Sequence, residues 1–266
     1  MTTLPTLPTP ARTVAALVRG YFPRLLQVRG WVCTLLIVLP VALSLGLAAL
    51  MHFKQPNFNW GTQETLIVFH KVLAQLALPI LVLVAAPAGI REDMEQRTLP
   101  LVLSRPVPAW ILPFGKGLLW FGWGAAWIIV AVGGLAGLGA DVASLPLMAA
   151  ALVTAFWAEL AFMTFLGLVF KRGTLWGALY LLIWDPLVRI FPGNLQRFTF
   201  IHYIESIAGS RGGAVETSQM LAQQQITTPW PLAILVLFLF GVLCWAASGW
   251  KLQRTPIGLA GAEAEG

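Results

Sequence analysis

Few residues of this 266-residue chain could do chemistry, and most of those sit among apolar neighbours. Glu159 falls near the middle of the run Leu147–Phe170, while Glu64, His70, Lys71 and Gln75 lie in or beside the run Leu66–Ile90. A charge at such depth is costly without a partner, and it often marks the path of an ion or solute. Glu64, Lys71 and Gln75 are seven and four residues apart, which places them along one stripe of a helix. Glu159 must face a partner helix or a water-filled cavity. Together with the Lys71 stripe, or paired to it, it would line an inter-helix pathway. The competing account is a structural clasp in which Lys71 stretches its ammonium outward. The residues alone leave both open.

Other chemistry fits less well. Nucleophilic catalysis needs an activated nucleophile beside a base. Ser104 and Ser210 lie in connections, and His70, Glu159 and His202 form no recognisable catalytic motif. Cys33 and Cys244 each sit inside an apolar run without a CxxC partner, so neither a metal nor a redox site is expected. His202 has no Cys or His at ligand spacing and reads as an interfacial histidine. A phosphate-cradling loop needs G-x-x-x-x-G-K-[ST] between strand and helix. Gly115-Lys116 is followed by Gly117 at the mouth of an apolar run, and fails on both counts. The chain is expected to be no enzyme and to carry no cofactor or metal.

The elements that must position these residues follow from composition. Hydrophobic residues make up 58% and charged residues 11%, with a mean hydropathy of +0.78; a soluble domain carries about 25% charge. Runs long enough to cross hydrocarbon are Trp31–Met51, Leu66–Ile90, Leu118–Leu138, Leu147–Phe170, Thr174–Ile190 and Trp230–Trp250. Each must be helical, because a backbone in lipid can pair only with itself. The expected fold is therefore an all-α integral membrane domain of six transmembrane helices over 31–250. A tail and interfacial helix precede it at 1–30, and a tail follows at 251–266. Met1–Pro10 is polar and Pro-rich, unlike a cleaved leader.

The net charge of +6 does not point to nucleic acid, because the cations sit in short segments beside the apolar runs. With the N-terminus inside, Arg12, Arg19, Arg24, Arg29, Arg91, Arg97, Arg105, Lys116, Lys171, Arg172, Lys251 and Arg254 are cytoplasmic. Lys54, Arg189, Arg197 and Arg211 are outside. Twelve against four is a positive-inside bias, which puts both termini in the cytoplasm. Thr9–Gly30 is amphipathic, with Val14, Leu17, Val18, Tyr21, Leu25 and Leu26 at helical spacing among arginines. It is expected to lie along the inner headgroups of the bilayer.

The connection Arg91–Lys116 carries the most information. Glu92, Asp93 and Glu95 put three carboxylates where a simple inner loop needs none, and Leu99, Leu101, Val102 and Leu103 make a compact apolar knob. Pro106 and Pro108 end that short helix. Such a helix suits docking into a groove on a soluble protein; the alternative is a loop that re-enters the interface. On the outer side, 185–229 is too long for a tight turn. Val188, Phe191, Phe198, Phe200, Ile201 and Ile204 are apolar enough to re-enter the headgroup layer as short helices, with Pro192-Gly193 as the reversal. Ser206–Gly213 reads as a loop and Glu216–Ile226 as a polar helix.

Two stretches carry a specific resemblance. The acidic residues, Thr98-Leu99, the leucine-rich turn, Ser104-Arg105-Pro106-Val107 and Gly115-Lys116 resemble the type 2 ABC transporter permease family. Tyr180–Tyr203, with an acidic residue, a Pro-Gly break and an aromatic stretch ending in His-Tyr, is similar to that family's late-span pattern. Arg97 and Ala109 depart from it, standing where the family often has Gly and a basic residue. The resemblance implies a permease subunit of an exporter in the bacterial inner membrane. Its coupling segment, Arg91–Lys116, would seat on a cytoplasmic ATPase that holds the ATP and Mg, with a second small contact at Phe170–Thr174 around Lys171 and Arg172. A second copy or homologous permease, and periplasmic or accessory subunits, complete the implied assembly. A structural or assembly subunit, or an intramembrane enzyme, are the other classes considered.

Overall fold

The computed structural model describes residues 10–25, 28–54, 62–86, 110–188, 194–209 and 228–254; the side chains at 10, 11, 13, 17, 24, 25 and 62–64 lie outside that description. The described residues are helical, with no strand among them. Helix α1 is Pro10–Leu25 and α2 is Val28–Lys54. Helix α3 comprises Thr62–Ile67, a π-helical stretch Val68–Ala77, and Leu78–Ala85. Helix α4 is Ile111–Gly134 with a tighter last turn, Leu135–Leu138, and α5 is Leu145–Val169. Helix α6 comprises Gly173–Ala178, a π-helical Leu179–Trp184, and Asp185–Val188. A turn at Asn194–Phe198 leads into α7, Phe200–Ala208, and α8 is Trp230–Arg254.

Five helices are long and apolar enough to cross a membrane: α2, α3, α4, α5 and α8. This marks the chain as a multi-pass membrane protein. The expected fifth run is a shorter apolar helix, Gly173–Val188. At 1.5 Å per residue its length is about 24 Å, against a hydrocarbon core of about 30 Å. The third run begins earlier than Leu118, because Pro113 near the start of α4 lacks an N–H that the first turn would not have paired anyway. Lys116, expected in the inner connection, is instead inside α4, only 3% exposed, with its ammonium 4.2 Å from the centre of the Tyr21 ring. That contact docks α1 on α4, and Val18 and Tyr21 turn their apolar faces to the bundle while Arg12 and Arg19 stay exposed.

Turns between the helices close their own hydrogen bonds. Gly139 takes φ 88°, the left-handed conformation that favours glycine. Its N–H donates to Ala136 O, and the N–H of Ala140 donates to Leu135 O. Asp141 then caps Ala143 N at 3.2 Å. Thr65 donates 2.7 Å to the carbonyl of Leu138, tying the start of α3 to the end of α4. At the opposite end, the N–H of Gly173 donates to Phe170 O across the two-residue turn Lys171-Arg172.

The centre of the bundle is α4, α5 and α8, and rings seated on glycines hold it. Trp245 of α8 lies over Gly117 of α4, Phe156 of α5 over Gly124 of α4, and Trp157 of α5 over Gly241 of α8. Small residues at helix crossings admit this close approach where lipid offers no hydrophobic drive. Trp157 also stacks on Phe238 and donates to its carbonyl at 3.3 Å. Helix α2 is peripheral, presenting Leu35, Leu39, Leu43, Leu47 and Leu50 outward.

Gly117→Ala places a Cβ inside the Trp245 ring and should lower stability by about 1–3 kcal/mol, although alanine is the better helix former. Gly46→Ala, on the open face of α2, meets nothing and should hold or raise the unfolding midpoint. Thermal unfolding of both variants in lipid nanodiscs reads the difference.

Candidate functional site

The polar residues of the membrane interior divide between two places. On the outer surface of α3, Lys71 is exposed and its Nζ lies 3.5 Å from Gln75 Oε1, one turn deeper. The ammonium therefore points along the helix toward its middle and not toward the nearer headgroups. The π-helical geometry brings residues four and five apart together, so Lys71 and Gln75 meet. The Glu64 side chain lies outside the described residues. Glu159 is elsewhere, 1% exposed inside the bundle. The structure does not bring Glu159 and Lys71 together.

Around Glu159 the walls are α5, α6, α7 and α8. Phe162, one turn from Glu159, packs with Tyr180 of α6, Phe200 of α7 and Phe240 of α8, at ring separations of 5.1, 6.1 and 5.9 Å. Tyr180 donates to the carbonyl of Phe198. One oxygen of Glu159, Oε2, is buried with no hydrogen-bond partner among the described residues. Trp245 Nε1 is in the same condition nearer the other end of α8.

Asp185, a residue that sequence reasoning did not single out as a site, is the second buried carboxylate. It is 1% exposed; its Oδ1 accepts from Phe200 N at 2.8 Å and its Oδ2 from Ile201 N at 3.3 Å. These are orphan amides of the first turn of α7, and the helix end itself favours a negative charge. Thr199 takes the next one, His202 N, at 3.4 Å. The signal was present in the sequence as an Asp-Pro pair ending an apolar run. Its partners, 15 and 16 residues on, were not.

His202 proves structural. Its Nε2 lies 2.9 Å from Thr228 Oγ1, and Ser206 donates to His202 O at 2.8 Å while accepting from Thr228 N at 3.4 Å. Burial, and secondarily Arg197, draws its imidazole below the ordinary range, so it is neutral at physiological pH. The knot joins α7 to the entry of α8. It also corrects the expected loop at Ser206–Gly213, since α7 runs on to Ala208. Residues 210–227, including the expected polar helix, lie outside the described residues.

The end of the bundle at the α5–α6 turn gathers what remains. Lys171 and Arg172 are exposed in the turn between α5 and α6. The section Leu78–Ala85 touches Gly173–Ala178, and Trp110 abuts Gly249, so Ala86 and Trp110 open on the same end as that turn and as Lys251 and Arg254. Glu92, Asp93, Glu95, Thr98, Leu99, Leu101, Val102, Leu103 and Arg105 all fall between Ala86 and Trp110 and lie outside the described residues. Among the described residues no group of His, Cys, Asp and Glu could hold a metal ion.

Replacing Asp185 by Ala strands two buried amides and should cost on the order of 1–3 kcal/mol; Asp185→Asn, with one acceptor left, should fall between. Thr199→Ala should cost about 1 kcal/mol. Unfolding midpoints, with protease cleavage after α7 as a local readout, check the order. Neither a scan against protein-family models nor a search of curated proteins finds a match to this chain.

Proposed function

We propose that the chain is the permease subunit of an ATP-binding cassette transporter, moving a solute outward across the bacterial inner membrane. On this reading α6 completes six transmembrane helices, both termini are cytoplasmic, and Asp185 to Ala208 forms the outer re-entrant hairpin. Two copies, or this chain and a homologous permease, face each other around the pathway. Lys71 and Gln75 line that pathway. A charge turned toward the middle of a span is poorly placed against lipid.

The observation that supports this reading best is the common end shared by Ala86, Trp110 and the Lys171-Arg172 turn. The connection between the first two holds the acidic residues, the leucine knob and the prolines. The knob and the tight turn would then meet one ATPase together. The basic α1, packed beside Lys116, anchors the same end to anionic headgroups. ATP binding draws the two ATPases together and moves the docked segments. Transport follows only insofar as the nucleotide-bound ATPase prefers one arrangement of the spans over the other. The chain itself hydrolyses nothing.

Leu101→Asp buries a charge in the proposed contact and should abolish co-purification with the ATPase while leaving the permease folded. A stoichiometric complex that survives this change overturns the docking reading. Lys171→Glu combined with Arg172→Glu should weaken the complex without eliminating it, measured by the salt concentration at which the ATPase dissociates.

A further inference from the structure

Glu159 is the fifteenth of the 25 residues of α5, two positions from its midpoint. It is 1% exposed, and Oε2 has no hydrogen-bond partner among the described residues. The charged group whose field reaches it is another carboxylate, Asp185 of α6, and Tyr180 of α6 lies within reach of both. Asp185 in turn feels Glu205 of α7, and His202 of that helix is engaged by Thr228. The basic residues of α8, Lys251 and Arg254, sit in its last turn at the inner end, as does Lys116 of α4 against Tyr21. Lys71 of α3 bonds Gln75 on the outer surface.

A carboxylate so placed, with another carboxylate for company and no countercharge bonded to it among the described residues, costs far more than the neutral acid. Asp185 differs, because two backbone amides hold its oxygens. Nothing of that kind supports Glu159. Two of the neighbouring elements are an interrupted helix and a short one. The π-helical stretch Leu179–Trp184 runs into Asp185, and such stretches recur at functional positions in helices. Helix α7 is nine residues long and held at its start by Asp185 and Thr199.

We propose that Glu159 is a proton-binding site of the membrane interior, loaded in the packed arrangement described here and emptied to water when α6 and α7 move away from α5. The step is a simple dissociation: the carboxyl O–H bond breaks, the electron pair stays on Glu159, and entering water carries the proton away. Re-closure requires a proton to be taken up again. The site does not depend on the docking of an ATPase, and it makes proton uptake or release part of the opening and closing of the bundle.

Infrared spectroscopy of the full chain in nanodiscs tests this. At mildly alkaline pH, a carbonyl stretch of a neutral carboxylic acid should be present, move when glutamate carries ¹³C at its carboxyl, and vanish in Glu159→Gln. The isotope assigns the band to glutamate even where Glu159→Gln fails to fold. On transfer to heavy water the band should shift by the deuterium effect within the time the bundle takes to open. No neutral-acid band overturns the proposal, since Glu159 would then be ionised beside some cation. A band that never shifts overturns it too, since the proton would be sealed in place. Leu101→Asp should leave the band unaltered, so that loss of docking and loss of the proton site are told apart.

Discussion

Hydrocarbon offers a peptide group no partner, so every interruption of a helix inside this bundle must be repaired where it occurs. Helix α7 opens inside the bundle, and the first amides of a new helix have no partner within the helix itself. One side chain, Asp185, absorbs two of them. Thr199 absorbs a third, and the Tyr180 hydroxyl takes the Phe198 carbonyl on the approach. With that repair in place, Phe200 can enter the ring cluster of Phe162, Tyr180 and Phe240. Without it, α7 has no means of starting so close to α5.

The same economy of polar groups governs the two ends of the bundle differently. The turn between α4 and α5 satisfies itself through short side chains: Thr65, Asp141 and Ser144 all bond to backbone. The opposite end relies on long cationic side chains, with Lys116 on Tyr21 and Arg254 on Trp250. Both rings give these cations an apolar seat with a favourable quadrupole, and their stems can lie along apolar surface.

Most of the architecture could be read from hydropathy. Helices α2, α5 and α8 begin and end within a few residues of the expected runs, since a span needs about 20 apolar residues and the sequence offers clear edges. The start of α4 was missed because Pro113 and Lys116 looked like connection chemistry, whereas one is tolerated in a first turn and the other is covered by Tyr21. The burial of Glu159 was legible; its neighbours were not, because they come from a helix pair brought back by long-range bonds. The four-residue spacing of Lys71 and Gln75 survives the π-helical Val68–Ala77, which the sequence did not announce. No propensity argument announces such a stretch.

The three glycine seats have a mechanical meaning. Each of α4, α5 and α8 is locked to the other two by an aromatic ring lying in a notch where its partner lacks a side chain. Sliding any of them by one turn, about 5.4 Å, would drive an indole or phenyl group onto a residue that fills the space. Axial sliding is therefore barred. The trio behaves as a keyed block, and whatever rearrangement the protein undergoes must be a pivoting of the outer helices against an inner frame that keeps its register.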